Sequence, residues 1–363
     1  MAGAVAVVLA GAIAGGLVVT LRPAPVDPVE QAARAFLDRY VAADGRVVRD
    51  DQGRDTVSEG QAYALLLTVA IDDPERFALV WDWTAANLQR DDGLLAWVWS
   101  EGEIVDAEPA ADADLDAAHA LFLAAERFAV PRYRSEGLRI ARALLAEEVI
   151  EAGGRSLLVA GPWATEDFLV LNPSYFDPRA FARIGAETGD PRWGGLISGS
   201  YDVLDQLLDE TALPPDWAVT NTDGVVNPAS PPSDPGASAV YSFDAARTPV
   251  RMAVACDARG RALAARMWAP FAELDPGEIR ERHDLGGTAA ARGRHPLTLV
   301  GAAGAATAAG QDAAAATLLD EAGALDERDP TYYGAAWHAL GRVLLTSDRL
   351  GGCPDDPLPT PGR

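Results

Sequence analysis

The sequence predicts an all-α fold: one large domain over residues 30–350, built from about twelve amphipathic helices. Three observations carry this. Apolar residues recur at helical spacing in a dozen successive segments. Clusters of glycine, proline and aspartate separate those segments. Strand patterning is confined to brief stretches such as 156–160.

Taken in order, residues 1–21 are apolar on every face and end at Arg22-Pro23. A run of about 20 such residues is long enough to cross a bilayer, and a buried amphipathic helix would have a polar side. No arginine precedes the run and no small-x-small cleavage site follows it. An uncleaved anchor is therefore expected in preference to a cleaved signal, with the bulk of the chain outside the cytoplasm. Residues 22–29 form a proline-rich linker. Helices are predicted over 30–43, 60–71, 74–89, 112–128, 132–149, 178–187 and 192–209, then over 243–256, 259–271, 297–309, 312–324 and 331–346. Between the two groups, residues 213–240 read as one long irregular loop rich in Pro, Asp, Asn and Ser, and such loops are often functional. Residues 351–363 read as a flexible tail. No composition shift divides the helical region, so one domain is expected.

Composition excludes several classes. Of 363 residues, 49% are hydrophobic, enough for a packed core. All 30 basic residues are arginine, which reflects coding bias more than chemistry. A net charge of -24 repels nucleic acid and anionic membranes and suits a neutral or cationic ligand. The two cysteines, Cys256 and Cys353, form no CxxC or Cys/His cluster, and there are four histidines. No metal or cofactor is expected. The cysteines are compatible with one long-range disulfide or with two buried thiols. No G-x-S-x-G, Walker or HExxH motif occurs.

Three acidic clusters lie among aromatic and small residues instead of among other charges. In Ser58-Glu59-Gly60-Gln61-Ala62-Tyr63, Ser58 reads as an N-cap with Glu59 in the first turn. Chemistry adds a second reading: Gly60 admits a ligand closely, Tyr63 faces the same way, and a carboxyl against aromatic walls is raised in pKa and can donate a proton. Ala111-Asp112-Ala113-Asp114-Leu115-Asp116 offers helix caps but lacks the glycine and glutamate of a calcium loop. Tyr241-Ser242-Phe243-Asp244-Ala245-Ala246-Arg247 offers a surface ion pair, or a carboxylate kept ionised by Arg247 as a general base requires. Trp97, Trp99, Trp163, Tyr175, Trp217, Tyr332, Tyr333 and Trp337 are candidate sugar platforms. Trp97 and Trp99 alternate, so one is expected to be buried while the other faces a cleft. Asn172-Pro173-Ser174-Tyr175 is a polar turn.

Together these segments resemble glycoside hydrolase family 8, over most of residues 30–350. Residues 57–63 are similar to the segment with that family's general acid; residues 77–88 and 95–99 resemble the segments that follow it. Residues 110–114 resemble the signature A-[ST]-D-[AG]-D, with Ala111 in place of Ser or Thr and Ala117 in place of Ile or Met. Asn172-Pro173-Ser174-Tyr175, Pro215-Asp216-Trp217 and residues 241–247 also match, with Phe243 where the family usually has tyrosine. The resemblance implies an (α/α)6 barrel and an inverting hydrolysis. Glu59 would be the acid and Asp244 the base, about 6.5–9.5 Å apart, with Asp112 distorting the sugar or stabilising charge. It implies substrate contacts from Tyr63, Trp97, Trp99, Asp114, Asn172, Tyr175, Trp217, Phe243, Arg247 and Tyr333.

The implied substrate is a β-1,4-linked polysaccharide. Aspartate at position 244 goes mostly with glucan cleavage, so a cellulose-type glucan is preferred. Chitosan comes second, because an acidic cleft attracts glucosamine, and xylan third. A non-catalytic polysaccharide-binding relative is the alternative of another class; intact Glu59 and Asp244 speak against it. A lyase acting on uronic acids would need positive charge. The expected protein is a monomer without a nucleic-acid partner, touching membrane only through its N-terminal run.

Overall fold

A computed structural model describes residues 27–165 and 168–353. The apolar run at 1–21, most of the linker and residues 354–363 of the tail lie outside the described residues, so the expected anchor does too.

Among the described residues there are twelve α-helices: α1 Pro28–Tyr40, α2 Ser58–Ala70, α3 Pro74–Asn87, α4 Ala111–Arg127, α5 Pro131–Glu147, α6 Pro178–Thr188, α7 Arg192–Glu210, α8 Thr248–Ala253, α9 Ala258–Arg266, α10 Pro296–Ala308, α11 Asp312–Arg328 and α12 Tyr332–Thr346. Several start on the same local chemistry. Asp27, Asp73 and Asp177 each accept a backbone N–H at an N-cap, and proline follows in the first turn. Proline's fixed φ suits that position and its missing N–H costs nothing there.

The even-numbered helices form a closed ring: α2 packs on α4, α4 on α6, α6 on α8, α8 on α10, α10 on α12, and α12 returns to α2. The odd-numbered helices lie outside it, each against an inner neighbour. This order is consistent with an (α/α)6 barrel. Burial follows the layering. Nearly every residue of α2 and α10 is buried, whereas α5 and α11 bury one face only. Gly301 and Gly304 serve packing: a Cβ at Gly301 would meet the Ala246 carbonyl, and one at Gly304 the Val250 backbone. The predicted 243–256 helix is broken into a 3-10 turn, Ala245–Arg247, and the short α8.

Among the described residues, eight short strands were mostly illegible in the sequence. They are β1 Thr56–Val57, β2 Val98–Ser100, β3 Glu103–Asp106, β4 Val149–Ala152, β5 Arg155–Leu158, β6 Leu169–Leu171, β7 Trp217–Thr220 and β8 Val226–Ala229. They pair antiparallel as β1-β2-β3, β4-β5 and β6-β7-β8. The stretch 213–240 is therefore not one irregular loop, since it carries a hairpin, β7–β8, that pairs with β6. Two- to four-residue strands leave too little alternation to detect. Cys256 and Cys353 form a disulfide with a Cα–Cα distance of 5.4 Å, tying the α8–α9 turn to the end of the described chain.

Candidate active site

The first turns of α2 and α4 and the segment before α8 bring the three acidic clusters to one end of the ring. Glu59 stands in the first turn of α2. Ser58 is not the N-cap; Val57 holds that place, and the Ser58 hydroxyl instead donates to Glu59 Oε2 at 3.3 Å. Trp97 Nε1 donates to Glu59 Oε1 at 3.2 Å. Burial, with the charge of Asp112 added, raises the Glu59 carboxyl to about 7. Gly60 has a different use from the one expected. It makes room for the Tyr332 hydroxyl, which a Cβ there would strike, and not for a ligand.

Asp244 lies in a turn fastened from a distance. Asp216, just before β7, accepts the backbone N–H groups of Ser242 and Ala245, each at 2.8 Å, and the Ser242 hydroxyl. Arg247 Nη2 donates to Asp244 Oδ1 at 2.9 Å. Arg247 favours the ionised form of Asp244. Burial outweighs the arginine and lifts Asp244 to about 6. Arg247 Nη1 donates to Asp112 Oδ2 at 2.6 Å and to the Tyr63 hydroxyl at 3.2 Å. The guanidinium is 2% exposed, so it is a buried bridge between the two aspartates, not half of a surface pair. It also lies over the Tyr175 ring, 5.2 Å from the centroid. One turn deeper, Arg251 bridges Asp116, at 2.7 and 2.9 Å, and Asp177, at 2.6 Å.

Two cavities meet at the carboxyl pair, and both are lined by Glu59 and Asp244. One, of about 440 Å3, is lined by Arg49, Asp51, Gln52, Tyr63, Phe243, His295, Thr331 and Tyr333. The other, of about 380 Å3, is walled by Trp97, Trp163, Tyr175 and Trp217. The Trp217 ring centroid is 6.4 Å from that of Trp163 and 6.4 Å from that of Tyr175, so the three make a continuous aromatic wall. A larger recess than either, about 620 Å3, lies at the opposite end, by the C-terminal turns of α2, α4 and α6. Its arginines Arg127 and Arg183 are already ion-paired with Asp72, Glu126 and Glu187, so chemistry and not size identifies the site.

Of the sequence-predicted contacts, Tyr63, Trp97, Tyr175, Trp217, Phe243, Arg247 and Tyr333 line the two cavities with Glu59 and Asp244. Asp112 lies beneath them on Arg247. Three of the expected contacts, Trp99, Asp114 and Asn172, line neither cavity. Trp99 turns its ring away from the cleft, onto Trp83 at 5.3 Å, with Arg46 stacked 5.0 Å above it. Residues two apart share a face of a regular strand, so alternation does not separate the two rings; Trp97 lies just before β2, and the register shifts between Val98 and Trp99. Asp114 is fully buried and holds the Leu95 N–H at 2.8 Å, so it positions the segment leading to Trp97 and does not reach the cleft. Trp337 is a core residue at 1% exposure. Asn172 turns its Oδ1 inward to accept from Ser174, and its nearness to Asp244 favours that carboxyl's ionised form. His295 was missed. It caps α10, its ring meets Phe243 edge-on at 4.9 Å, and burial lowers it to about 4, so it faces the cleft uncharged. A lone histidine between Arg294 and Pro296 carries no signal of this. Among the described residues no three His, Cys, Asp or Glu side chains converge as a metal cage.

The family model for glycosyl hydrolases family 8 matches residues 28–346. A probable endoglucanase of Novacetimonas hansenii is 32% identical over 238 residues, 63% of this chain and 67% of its own length. An endoglucanase of Cellulomonas uda is 32% identical over 230 residues, 61% of this chain and 62% of its own length. Among solved structures, endoglucanase Cel10 of Klebsiella pneumoniae, a family 8 glycosyl hydrolase, superposes with a TM-score of 0.74 at 27% identity, covering 86% of this chain and 98% of its own. Endo-β-1,4-glucanase CMCax of Acetobacter xylinum gives 0.74 at 26% identity, covering 88% and 99%.

Proposed function

The chain belongs to glycosyl hydrolases family 8, and from that membership we propose that it is an endo-β-1,4-glucanase acting with inversion of configuration. The observation that carries the site assignment is the pair Glu59 and Asp244. Both are raised by burial, to about 7 and about 6, and both face the junction of two cavities. A chain threaded through both cavities presents an internal bond to the pair, which supports endo attack. The relatives' names, endoglucanase and endo-β-1,4-glucanase, support the glucan.

Glu59, protonated, gives its proton to the glycosidic oxygen as the C1–O bond breaks. Asp244, ionised, takes a proton from a water whose oxygen bonds to C1 from the opposite face. The β-linked chain yields an α-anomer, and the two carboxyls exchange a proton with solvent to reset. Asp112 lines neither cavity; buried against Arg247, it offsets that cation's charge beneath the place where positive charge develops on the sugar. The barrel is proposed as a complete (α/α)6 barrel acting as a monomer. Export, anchored by the apolar residues 1–21, is also proposed; the disulfide supports an oxidising compartment.

The test is reducing-sugar release from carboxymethyl-cellulose, chitosan and xylan by one purified sample, with proton NMR of the fresh product. Turnover on cellulose with the α-anomer first is expected. Preference for chitosan or xylan would move the substrate, and a first-formed β-anomer would overturn the inverting assignment.

A further inference from the structure

We propose that Asp216 is the positioning residue of the general base: its carboxylate fixes the turn that carries Asp244, and its negative charge tunes that base. This rests on the assignment of Asp244 above.

The turn has little to hold it by itself. Residues 242–244 join an isolated bridge, Tyr241 to His283, to a single 3-10 turn, Ala245–Arg247, and that turn has no side-chain cap of its own. Asp216 supplies one from 26 residues away. One oxygen accepts two backbone N–H groups, on either side of Asp244, and the other accepts the Ser242 hydroxyl. Its own N–H bonds the Val240 carbonyl at 2.8 Å, so the brace is tied at both ends. It is 7% exposed, and its three bonds all come from donors. These bonds favour the ionised form of Asp216 against the burial that raises its carboxyl.

The charge has a separate effect. Arg247, on the base's own segment, and Asn172, after β6, favour the ionised form of Asp244. Asp216 opposes it, and Asp112 and Tyr63 on the inner helices reach the base only through Arg247. A carboxylate placed to fasten the turn thus also makes Asp244 a better proton acceptor near neutrality, because a raised pKa strengthens a base.

The two roles separate by substitution. Asp216→Asn keeps an oxygen for both N–H groups and removes the charge. The expected result is a folded enzyme whose acidic limb of kcat/KM moves to lower pH by roughly 0.5–1.5 pH units, the effect of one nearby charge on a half-buried carboxyl. Asp216→Ala removes the brace as well, with kcat down roughly 10–100-fold and KM little changed, because only the base is misplaced. If Asp216→Ala fails to fold, Ser242→Ala deletes the hydroxyl bond alone, and a smaller kcat loss is expected. An Asp216→Asn profile that overlays wild type, with Asp244→Asn inactive, overturns the tuning of the base by Asp216. Full activity in Asp244→Asn overturns the base assignment itself, and this inference with it.

Discussion

The pH dependence of turnover follows from two carboxyls. The active form needs Glu59 protonated and Asp244 ionised, with pKa values of about 7 and about 6. The rate should therefore be a bell centred at about pH 6.5, falling to roughly one seventh of its peak at pH 5 and at pH 8. The acidic limb belongs to the base and the alkaline limb to the acid. Glu59→Gln should cost roughly 10²–10⁴-fold on cellulose and erase the alkaline limb, while the fold and oligosaccharide binding persist. On an aryl cellobioside with an acidic phenol, the leaving group needs no proton, so Glu59→Gln should regain most of its rate. Asp244→Asn should lose a similar factor on both substrates, because water activation is needed in either case. The double amide variant should be little worse than the poorer single, since the pair acts as a unit. Initial rates from pH 4 to 9 on both substrates are the assay. Wild-type turnover on cellulose in Glu59→Gln, or an aryl substrate that rescues Asp244→Asn instead, would refute these assignments.

Three further outcomes test the structural account. Glu148 is fully buried and neither of its carboxylate oxygens has a hydrogen-bond partner among the described residues; burial and the charge of Asp114 raise it well above the usual range. A raised folded-state pKa stabilises the protein below the unfolded value near 4.5, and this is lost as pH rises through the folded value. The melting temperature should therefore fall with rising pH, and Glu148→Gln should flatten that fall and gain about 1 kcal/mol or more at pH 8. The disulfide closes a separation of 97 residues, so Cys256→Ser with Cys353→Ser should cost about 2–4 kcal/mol, read as a denaturant midpoint that no longer responds to reductant. Trp97→Ala should raise KM and shift the alkaline limb, since Trp97 walls the cleft and bonds Glu59, whereas Trp99→Ala should lower the melting temperature with little effect on KM.

All twelve helices were legible in the sequence, most within a few residues, because each carries its own punctuation and a face long enough to show a period. Glu59, Asp112 and Asp244 were legible for another local reason: carboxyls among Ala, Tyr, Phe and Ser, away from other charges, signal burial. What was lost is everything that depends on which segments meet. The strands are too short to show alternation, and two of the pairings join residues tens of positions apart, as Thr56 with Trp99 and Leu169 with Thr220. Trp97 and Trp99 would share a face of a regular strand, and only the sheet, with its register shift between Val98 and Trp99, decided that one of them reached the cleft.

The sequence by itself determined the helical class, the three acidic segments and the residue types able to move a proton. Helix formation and burial preference are local and statistical properties of a chain, so they can be read along it. Only the tertiary structure decided the charges those residues carry. Arg247 reads from the sequence as an i,i+3 neighbour of Asp244; folded, it is a buried bridge to Asp112, 135 positions away. Asp216 became the brace of a turn 26 positions on. A pKa depends on the water excluded and the charges within a few ångströms, and closing the ring of helices sets both.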